Sequence, residues 1–247
     1  MPPRSDGCDA LSIVGVAIER KHQLHPGEPR LPAALAVLIA IALYALLPNK
    51  LLLGPRYVVP VLELLLFVPL VAANPRRMTR GNRGLRRLAI VLVLLIAASN
   101  AVAEVLLIRE LVGGSGKDEA TTLLLAAGQV WLTNVLVFAL AYWELDRGGP
   151  VSRTQIARPR LPIADFRFPQ DEDHDAIYEV AKRSSQKSGW APGFIDYLYV
   201  SVTNSSAFSP TDTMPLSPRA KMLMAVESVS ALVLSVLVIS YGVGQLK

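Results

Sequence analysis

Long apolar stretches alternate with short polar, arginine-containing segments along this chain. Near-continuous apolar runs of about 20 residues are typical of transmembrane helices, because that length crosses the hydrocarbon core of a bilayer. A long polar segment, 145–192, precedes the last apolar run. The pattern predicts an all-α, polytopic helical membrane protein with five transmembrane helices, at residues 31–47, 57–73, 88–108, 121–143 and 220–243.

The same pattern divides the chain into four regions: a polar N-terminal tail (1–30), a four-helix membrane region (31–144), a polar cytoplasmic loop (145–192) and a last region (193–247). The last region begins with FIDYLYVSV, which is too short to span a bilayer and rich in aromatic residues suited to the headgroup interface. A re-entrant or interfacial half-helix is therefore predicted there. After a polar turn, Ser217 and Pro218 are typical of the N-cap and first residue of a helix, which predicts where the final span begins.

Composition supports the membrane class and excludes several kinds of site. Hydrophobic residues make up 52% of the 247 positions and charged residues only 18%, with a mean hydropathy of +0.39. The single cysteine, Cys8, excludes an intramolecular disulfide or a multi-cysteine metal site. The three histidines lie outside the apolar runs, so we expect no buried metal or redox cofactor: His22, His25 and His174.

The basic residues predict an orientation. Arginine and lysine accumulate in cytoplasmic loops of membrane proteins, and six arginines separate the second and third apolar runs: Arg76, Arg77, Arg80, Arg83, Arg86 and Arg87. The loop between the first two runs has only Lys50 and Arg56. These counts place the N-terminus in the cytoplasm and the C-terminus outside. The net charge of +5 then reflects loops facing anionic lipid, and we expect no nucleic-acid partner.

Seven polar residues inside the predicted spans are candidate functional residues: Glu63, Asn100, Glu104, Gln129, Thr133, Asn134 and Glu227. Polar groups within a bilayer are costly, so they face a partner or water. They could line an ion or proton route, or they could form hydrogen bonds between helices, which commonly hold bundles together. For the amides and Thr133 we favour the second interpretation. For Glu63 and Glu227 both stay open, while Glu104 is close enough to the span's end to reach water.

The polar turn before the last apolar run is the second candidate region. Its residues can bond to backbone groups exposed by a broken helix, and we select seven as pore or turn candidates: Thr203, Asn204, Ser205, Ser206, Ser209, Thr211 and Asp212. Asp212-Thr213-Met214-Pro215, preceded by the aromatic half-helix and followed by Arg219, resembles the pore module of tetrameric potassium channels. That module has T-V-G-Y-G where this chain has A-F-S-P-T, so carbonyl-based potassium selectivity is not implied.

The chain also resembles an uncharacterised bacterial membrane-protein family with a domain of unknown function. The resemblance is carried by WLTNVLVFALAYWELDRGGP at 131–150, FPQ at 168–170 and DYLYVSVTNSSAFSPTDTMP at 196–215. It extends over most of residues 31–243. It implies an integral, multi-pass protein of the bacterial inner membrane and names no activity.

These observations lead to two hypotheses of function. The first is a channel-like or transport-related pore around residues 203–215, built as a homo-oligomer and carrying an ion or small solute. The second is a structural or regulatory envelope protein whose loop 145–192 docks a partner. No complete catalytic motif is present, and Asp212 with Glu227 is a carboxylate pair of unknown separation, so we do not expect an enzyme. Asp171, Asp173 and Asp175 resemble the start of a calcium loop, which Ala176 and Lys182 then break.

Overall fold

The computed structural model describes residues 26–52, 54–113, 120–172, 177–206 and 212–244, with the side chains of 186 and 187 left aside. Of the described residues, 75% are helical and almost none are in sheets. The helices are α1 (Leu31–Ala45), α2 (Val58–Ala73), α3 (Arg83–Gly113), α4 (Ala120–Leu145), α5 (Pro150–Gln155), α6 (Tyr178–Ala181), α7 (Ser185–Ser188), α8 (Phe194–Ser205) and α9 (Pro218–Gly244). Short 3-10 turns occur at Asn49–Leu51, Asp146–Gly148, Arg158–Arg160 and Pro169–Asp171.

Three of the helices are long and apolar enough to cross a membrane, namely α3, α4 and α9. The prediction of a helical membrane protein is confirmed to that extent. The other two predicted spans correspond to α1 and α2, which have 15 and 16 residues. At 1.5 Å per residue these helices are about 22 and 24 Å long, whereas the hydrocarbon core of a bilayer is about 30 Å thick.

Two short antiparallel strand pairs connect segments that lie next to the ends of the helices. Strand β1 (Glu28–Pro29), just before α1, pairs with β2 (Arg77–Met78), between α2 and α3. Strand β3 (Phe166–Arg167), in the long loop, pairs with β4 (Met214–Pro215), just before α9. Residues 26–30, predicted to belong to a polar tail, are thus part of the fold, and Glu28 is buried.

One end of the bundle carries most of the basic side chains, and we call it the arginine end. It contains the starts of α1, α3 and α9 and the ends of α2 and α4, and nine arginines of these segments lie there: Arg30, Arg76, Arg77, Arg80, Arg83, Arg86, Arg87, Arg147 and Arg219. Among the described residues, the opposite end has Lys50, Arg56 and Arg109. The alternation of basic residues along the chain therefore corresponds to a real asymmetry between the two ends.

The apolar core has two parts, one in each half of the bundle. The part at the arginine end joins α1, α3, α4, α8 and the first turns of α9, and it includes the aromatic residues Tyr142, Phe166 and Tyr197. The part at the opposite end joins the end of α1 to α3, α4 and the later turns of α9, around Leu51, Leu107 and Val130. Helix α8 contributes only to the first part, so it occupies one half of the bundle.

Helix α8 begins at the arginine end because acceptors there cap its first turn. The Asp196 carboxylate accepts the N–H of Gly193 at 2.7 Å, and the Glu28 carboxylate accepts the N–H of Phe194 at 2.6 Å. These are backbone donors that a helix leaves free at its start. The predicted start of α9 is confirmed: it begins at Pro218, and Ser217 Oγ accepts the N–H of Ala220 at 3.2 Å.

Candidate functional site

Two residues of the predicted polar turn, Asn204 and Ser205, contact one buried acidic side chain in the bundle, Glu227. Glu227 is fully buried, about 14 Å along α9 from Pro218. Its Oε1 accepts hydrogen bonds from Ser201 Oγ and, at 2.9 Å, Ser205 Oγ of α8. Its Oε2 accepts the Tyr142 hydroxyl of α4 at 2.5 Å and the Asn204 amide of α8 at 2.7 Å. Four donors from two other helices thus surround it, and we call this the Glu227 site.

Asn204 holds α8 against α9 with both ends of its side-chain amide. Its Nδ2 donates to Glu227 and also to the Met224 carbonyl, at 2.9 Å. Its Oδ1 accepts the Ser228 hydroxyl at 2.8 Å. The first part of the predicted turn, 203–205, is therefore wrong. These residues are helical and α8 continues through Ser205, because Asn204 and Ser205 bind partners on α9 without leaving the helix.

The other candidates from the turn do not join this site. Thr203 and Ser206 bond to carbonyls of their own helix, at 2.9 Å to Tyr199 and 2.7 Å to Val202. Asp212 is exposed and lies before β4. Ser209 and Thr211 lie outside the described residues.

Four of the polar residues in the long helices form a second group, one turn further along α9. Ser230 donates to Glu104 of α3, at 2.7 and 2.8 Å to its two carboxylate oxygens. The Asn134 amide of α4 donates to Ser230 at 3.1 Å, and the Asn100 amide of α3 lies 3.5 Å from Asn134 Oδ1. This network joins α3, α4 and α9, as the interhelical interpretation predicts.

The remaining intramembrane candidates have few partners. Glu63 of α2 is fully buried; its Oε1 lies 3.4 Å from the Ser99 hydroxyl, and its Oε2 has no partner among the described residues. Thr133 donates to the backbone carbonyl of Gln129 at 2.8 Å, so these two residues share a helix face without a side-chain bond between them.

Several buried acidic residues at the arginine end were not identified from the sequence, among them Glu28 and Asp146. Glu28 accepts the Trp143 indole N–H at 2.8 Å in addition to the Phe194 N–H, and Arg153 lies 3.5 Å away. Burial raises the pKa of Glu28, and the charge of Arg153 opposes that rise. Asp146 accepts the Asp165 N–H and the Tyr197 hydroxyl, both at 2.6 Å. Their partners are distant in sequence, so no local pattern marked either residue.

A cavity of about 660 Å³ opens at the arginine end between α1, α2, α3, α4 and α5. Its deeper wall is apolar and is formed by Ala33, Val37, Phe67, Leu70, Leu92 and Leu140. Its outer wall carries four arginines and one acid: Arg30, Arg80, Arg83, Arg86 and Glu144. A cavity with an apolar interior and basic residues around its opening is the arrangement expected of a site for an amphiphile with an anionic headgroup.

Arg30 differs from the other arginines of this cavity in having a buried guanidinium nitrogen without a partner. Its Nε has no hydrogen-bond partner among the described residues, and its Nη1 lies 3.5 Å from the Asn74 carbonyl, which is a long contact. Burial lowers the pKa of Arg30, while Glu144 raises it. Guanidinium donors buried without partners are costly, so Arg30 is suited to bind an anion.

Metal binding has no support in the described part of the chain, where no group of three or more His, Cys, Asp or Glu side chains could hold an ion. Asp171 is paired with Arg147 instead. Asp173 and Asp175 of the interrupted calcium pattern lie outside the described residues.

The contacts of Asn204 lead to a prediction about stability. We expect Asn204→Ala to lower the free energy of unfolding by about 2 kcal/mol, because it removes the side-chain donor to Glu227 Oε2 and to the Met224 carbonyl and the acceptor of the Ser228 hydroxyl. For a chain of this size that corresponds to a midpoint roughly 4–8 °C lower in thermal unfolding of the detergent-solubilised protein. Ser206→Ala is the matched control, since its hydroxyl bonds only within α8. Equal effects of the two substitutions would contradict this role of Asn204.

Comparison with known proteins adds no assignment: the chain matches no protein-family model, no curated protein and no solved structure.

Proposed function

We propose that this protein is a five-span membrane protein that binds an anionic amphiphile, a phospholipid or a molecule of that type, at the arginine end. The observation that carries the proposal is the cavity with its apolar depth and arginine rim. The arginine end faces the cytoplasm, where anionic lipid attracts basic segments. The short helices α1 and α2 are spans, and the bilayer thins around them or their flanking residues reach into the interface.

The headgroup lies between the rim arginines. Arg30 offers a buried Nε without a partner, while Arg83 and Arg86 in the first turn of α3 are exposed. Three or more guanidinium groups around one phosphate supply several charge-assisted hydrogen bonds. Glu144, the single acid on the wall, accepts from a hydroxyl or ammonium group of the same headgroup.

The volume limits what the cavity holds. Sites for small molecules commonly measure about 300–1,000 Å³, and 660 Å³ is within that range. The space accommodates a headgroup and the first part of one or two chains, and the rest of each chain lies in the bilayer. The cavity wall contains half-buried small residues such as Ala34 and Ala89, which leave this space open.

Binding of anionic lipid can be tested with the fluorescence of Trp143, which lies in the cavity wall. In a Trp131→Phe, Trp190→Phe background, we expect phosphatidylglycerol with brominated chains to quench Trp143 at lower mole fraction than brominated phosphatidylcholine. Arg86→Gln should weaken the phosphatidylglycerol effect about fivefold, because one arginine near an anionic surface contributes about 1 kcal/mol.

The control for this experiment is on the same helix. Arg109→Gln removes an exposed arginine at the opposite end of α3 and should leave quenching unchanged. Ala89→Phe, which fills the cavity, should reduce quenching by both lipids. Two results would refute the proposal. One is equal quenching by the two lipids in the protein that retains all rim arginines, and the other is equal effects of Arg86→Gln and Arg109→Gln.

The proposed orientation can be tested by cysteine labelling in a Cys8→Ser background. Pro55 lies in the exposed connection between α1 and α2, at the end away from the arginines, and Ile163 is 89% exposed in the long loop. In intact cells we expect a membrane-impermeant maleimide to label Pro55→Cys, and to label Ile163→Cys only after permeabilisation. The opposite pattern would place the cavity on the outer surface.

A pore around residues 203–215 is the second candidate function, and the course of α8 favours it. The helix begins at the arginine end, and its last turn contacts Glu227. Met214, further along the chain, pairs with β3. A half-helix followed by a return to the same side is the form of a pore loop, here in an oligomer. On this hypothesis the reconstituted protein conducts ions and Asp212→Ala alters the flux; absence of flux from the unsubstituted protein would exclude it.

A further inference from the structure

The Glu227 site has a feature that the amphiphile proposal does not use. It contains more hydrogen-bond contacts than there are hydrogens to form them when Glu227 is ionised. Ser201 Oγ lies 2.8 Å from the Val135 carbonyl and also in contact with Glu227 Oε1. Both of these neighbours are acceptors if Glu227 is ionised, and a hydroxyl has one proton to donate. One of the two contacts would then bring two oxygens together without a hydrogen between them.

The other donors cannot correct this deficit. The Tyr142 hydroxyl and one N–H of Asn204 are directed to Oε2. The second N–H of Asn204 goes to the Met224 carbonyl, and the single proton of Ser205 goes to Oε1. Every proton of these side chains is therefore assigned, and none remains for the second contact of Ser201.

One additional proton on Glu227 completes the network. With Oε1 protonated, Glu227 donates to Ser201, and Ser201 donates its own proton to the Val135 carbonyl. Ser205 still donates to Oε1, and Tyr142 and Asn204 still donate to Oε2. Each contact then contains one hydrogen, and each hydrogen has one acceptor.

The surroundings of the site also favour a neutral group. None of the ion pairs within the described residues involves Glu227, and an unpaired charge in the middle of a spanning helix is costly. The elements packed against α9 are α4, α8, α3 and β4. The titratable groups that they direct toward this part of α9 are Tyr142 of α4 and Glu104 of α3, which binds Ser230 one turn away.

We propose that the Glu227 site is a proton-binding site within the membrane, in which Glu227 carries the proton and Ser201 passes the hydrogen bond on to the Val135 carbonyl. The site lies where the end of α8 meets α9. Release of the proton would leave an unpaired carboxylate and one contact of Ser201 without a hydrogen, so the α8–α9 contact is weaker in the deprotonated state. The proposal is independent of what the cavity at the arginine end binds.

The first test uses infrared absorption, because a protonated carboxyl has a carbonyl band that a carboxylate lacks. The full-length protein in detergent at neutral pH should lose one such band on Glu227→Gln, and Ser201→Ala should shift the same band by removing its acceptor. Glu104→Gln is the control, since Glu104 is half-buried and should not contribute that band. An unchanged carboxyl region in Glu227→Gln would overturn the proposal.

A second test uses dicyclohexylcarbodiimide in membrane vesicles. The reagent adds across a protonated carboxyl: the acid proton moves to a carbodiimide nitrogen, the carboxyl oxygen bonds to its central carbon, and the adduct rearranges to a stable N-acylurea with no leaving group. Mass spectrometry should locate the adduct on Glu227, with a yield that falls as the pH rises. Glu63→Gln should retain this labelling. Protection by sodium ions at constant pH would instead identify a cation site and overturn the proton assignment.

Folding provides a third, independent measurement. Glutamine, like the protonated acid, carries hydrogen on one terminal atom and an acceptor on the other, and it loses only the bond from Ser205, so we expect Glu227→Gln to unfold within a few degrees of the unsubstituted protein. Glu227→Ala, which leaves Tyr142, Asn204, Ser201 and Ser205 without this partner, should unfold at a clearly lower temperature. If glutamine destabilised the protein as much as alanine, the ionised carboxylate would be the native form and the proposal would fail.

Discussion

The position of several elements depends on one constraint: an acidic side chain buried away from water is costly unless it finds hydrogen-bond partners within the protein. Glu28, Asp146 and Glu227 meet it with donors from segments distant in sequence: Trp143 and Phe194 for the first, the Asp165 N–H and Tyr197 for the second, and residues of α4 and α8 for the third. Each acid thereby adds polar attachments between elements that also meet in the apolar core. A buried acceptor that loses its donors costs more than an ordinary hydrogen bond contributes, so these three positions determine how the helices are arranged.

The position of α8 follows from this constraint. A helix of 12 residues cannot span a bilayer, and apolar contacts alone could place it at several angles against α4. Its start is held by Glu28 through the Phe194 N–H, its middle by Asp146 through Tyr197, and its end by Glu227 through Asn204 and Ser205. These three polar attachments fix how deeply α8 enters the bundle and how it is rotated about its own axis.

The amino-acid pattern predicted some of this arrangement and not the rest, for physical reasons. Long apolar runs indicate spanning helices directly, and α3, α4 and α9 are long and apolar enough to cross a membrane. Ser217 with Pro218 indicates a helix start because capping is local, and α9 begins there. Polar residues such as Asn100 and Asn134 could be recognised as interhelical because a bilayer offers them no other partner. The pairing of Glu28 with residues more than a hundred positions away depends on tertiary packing, and so does the cavity, whose wall is built from five helices.

The last turn of α4 connects the two candidate sites. Three consecutive residues point in three directions, because a helix turns by about 100° per residue: Tyr142 donates to Glu227, Trp143 donates to Glu28, and Glu144 lies in the cavity wall. A ligand that displaced Trp143 or Glu144 would rotate or shift this turn, and Tyr142 would move with it. Coupling between distant sites requires a shared element with two arrangements that both sites bias. The end of α4 is shared in position by the proposed amphiphile site and the proposed proton site, because its residues contact both.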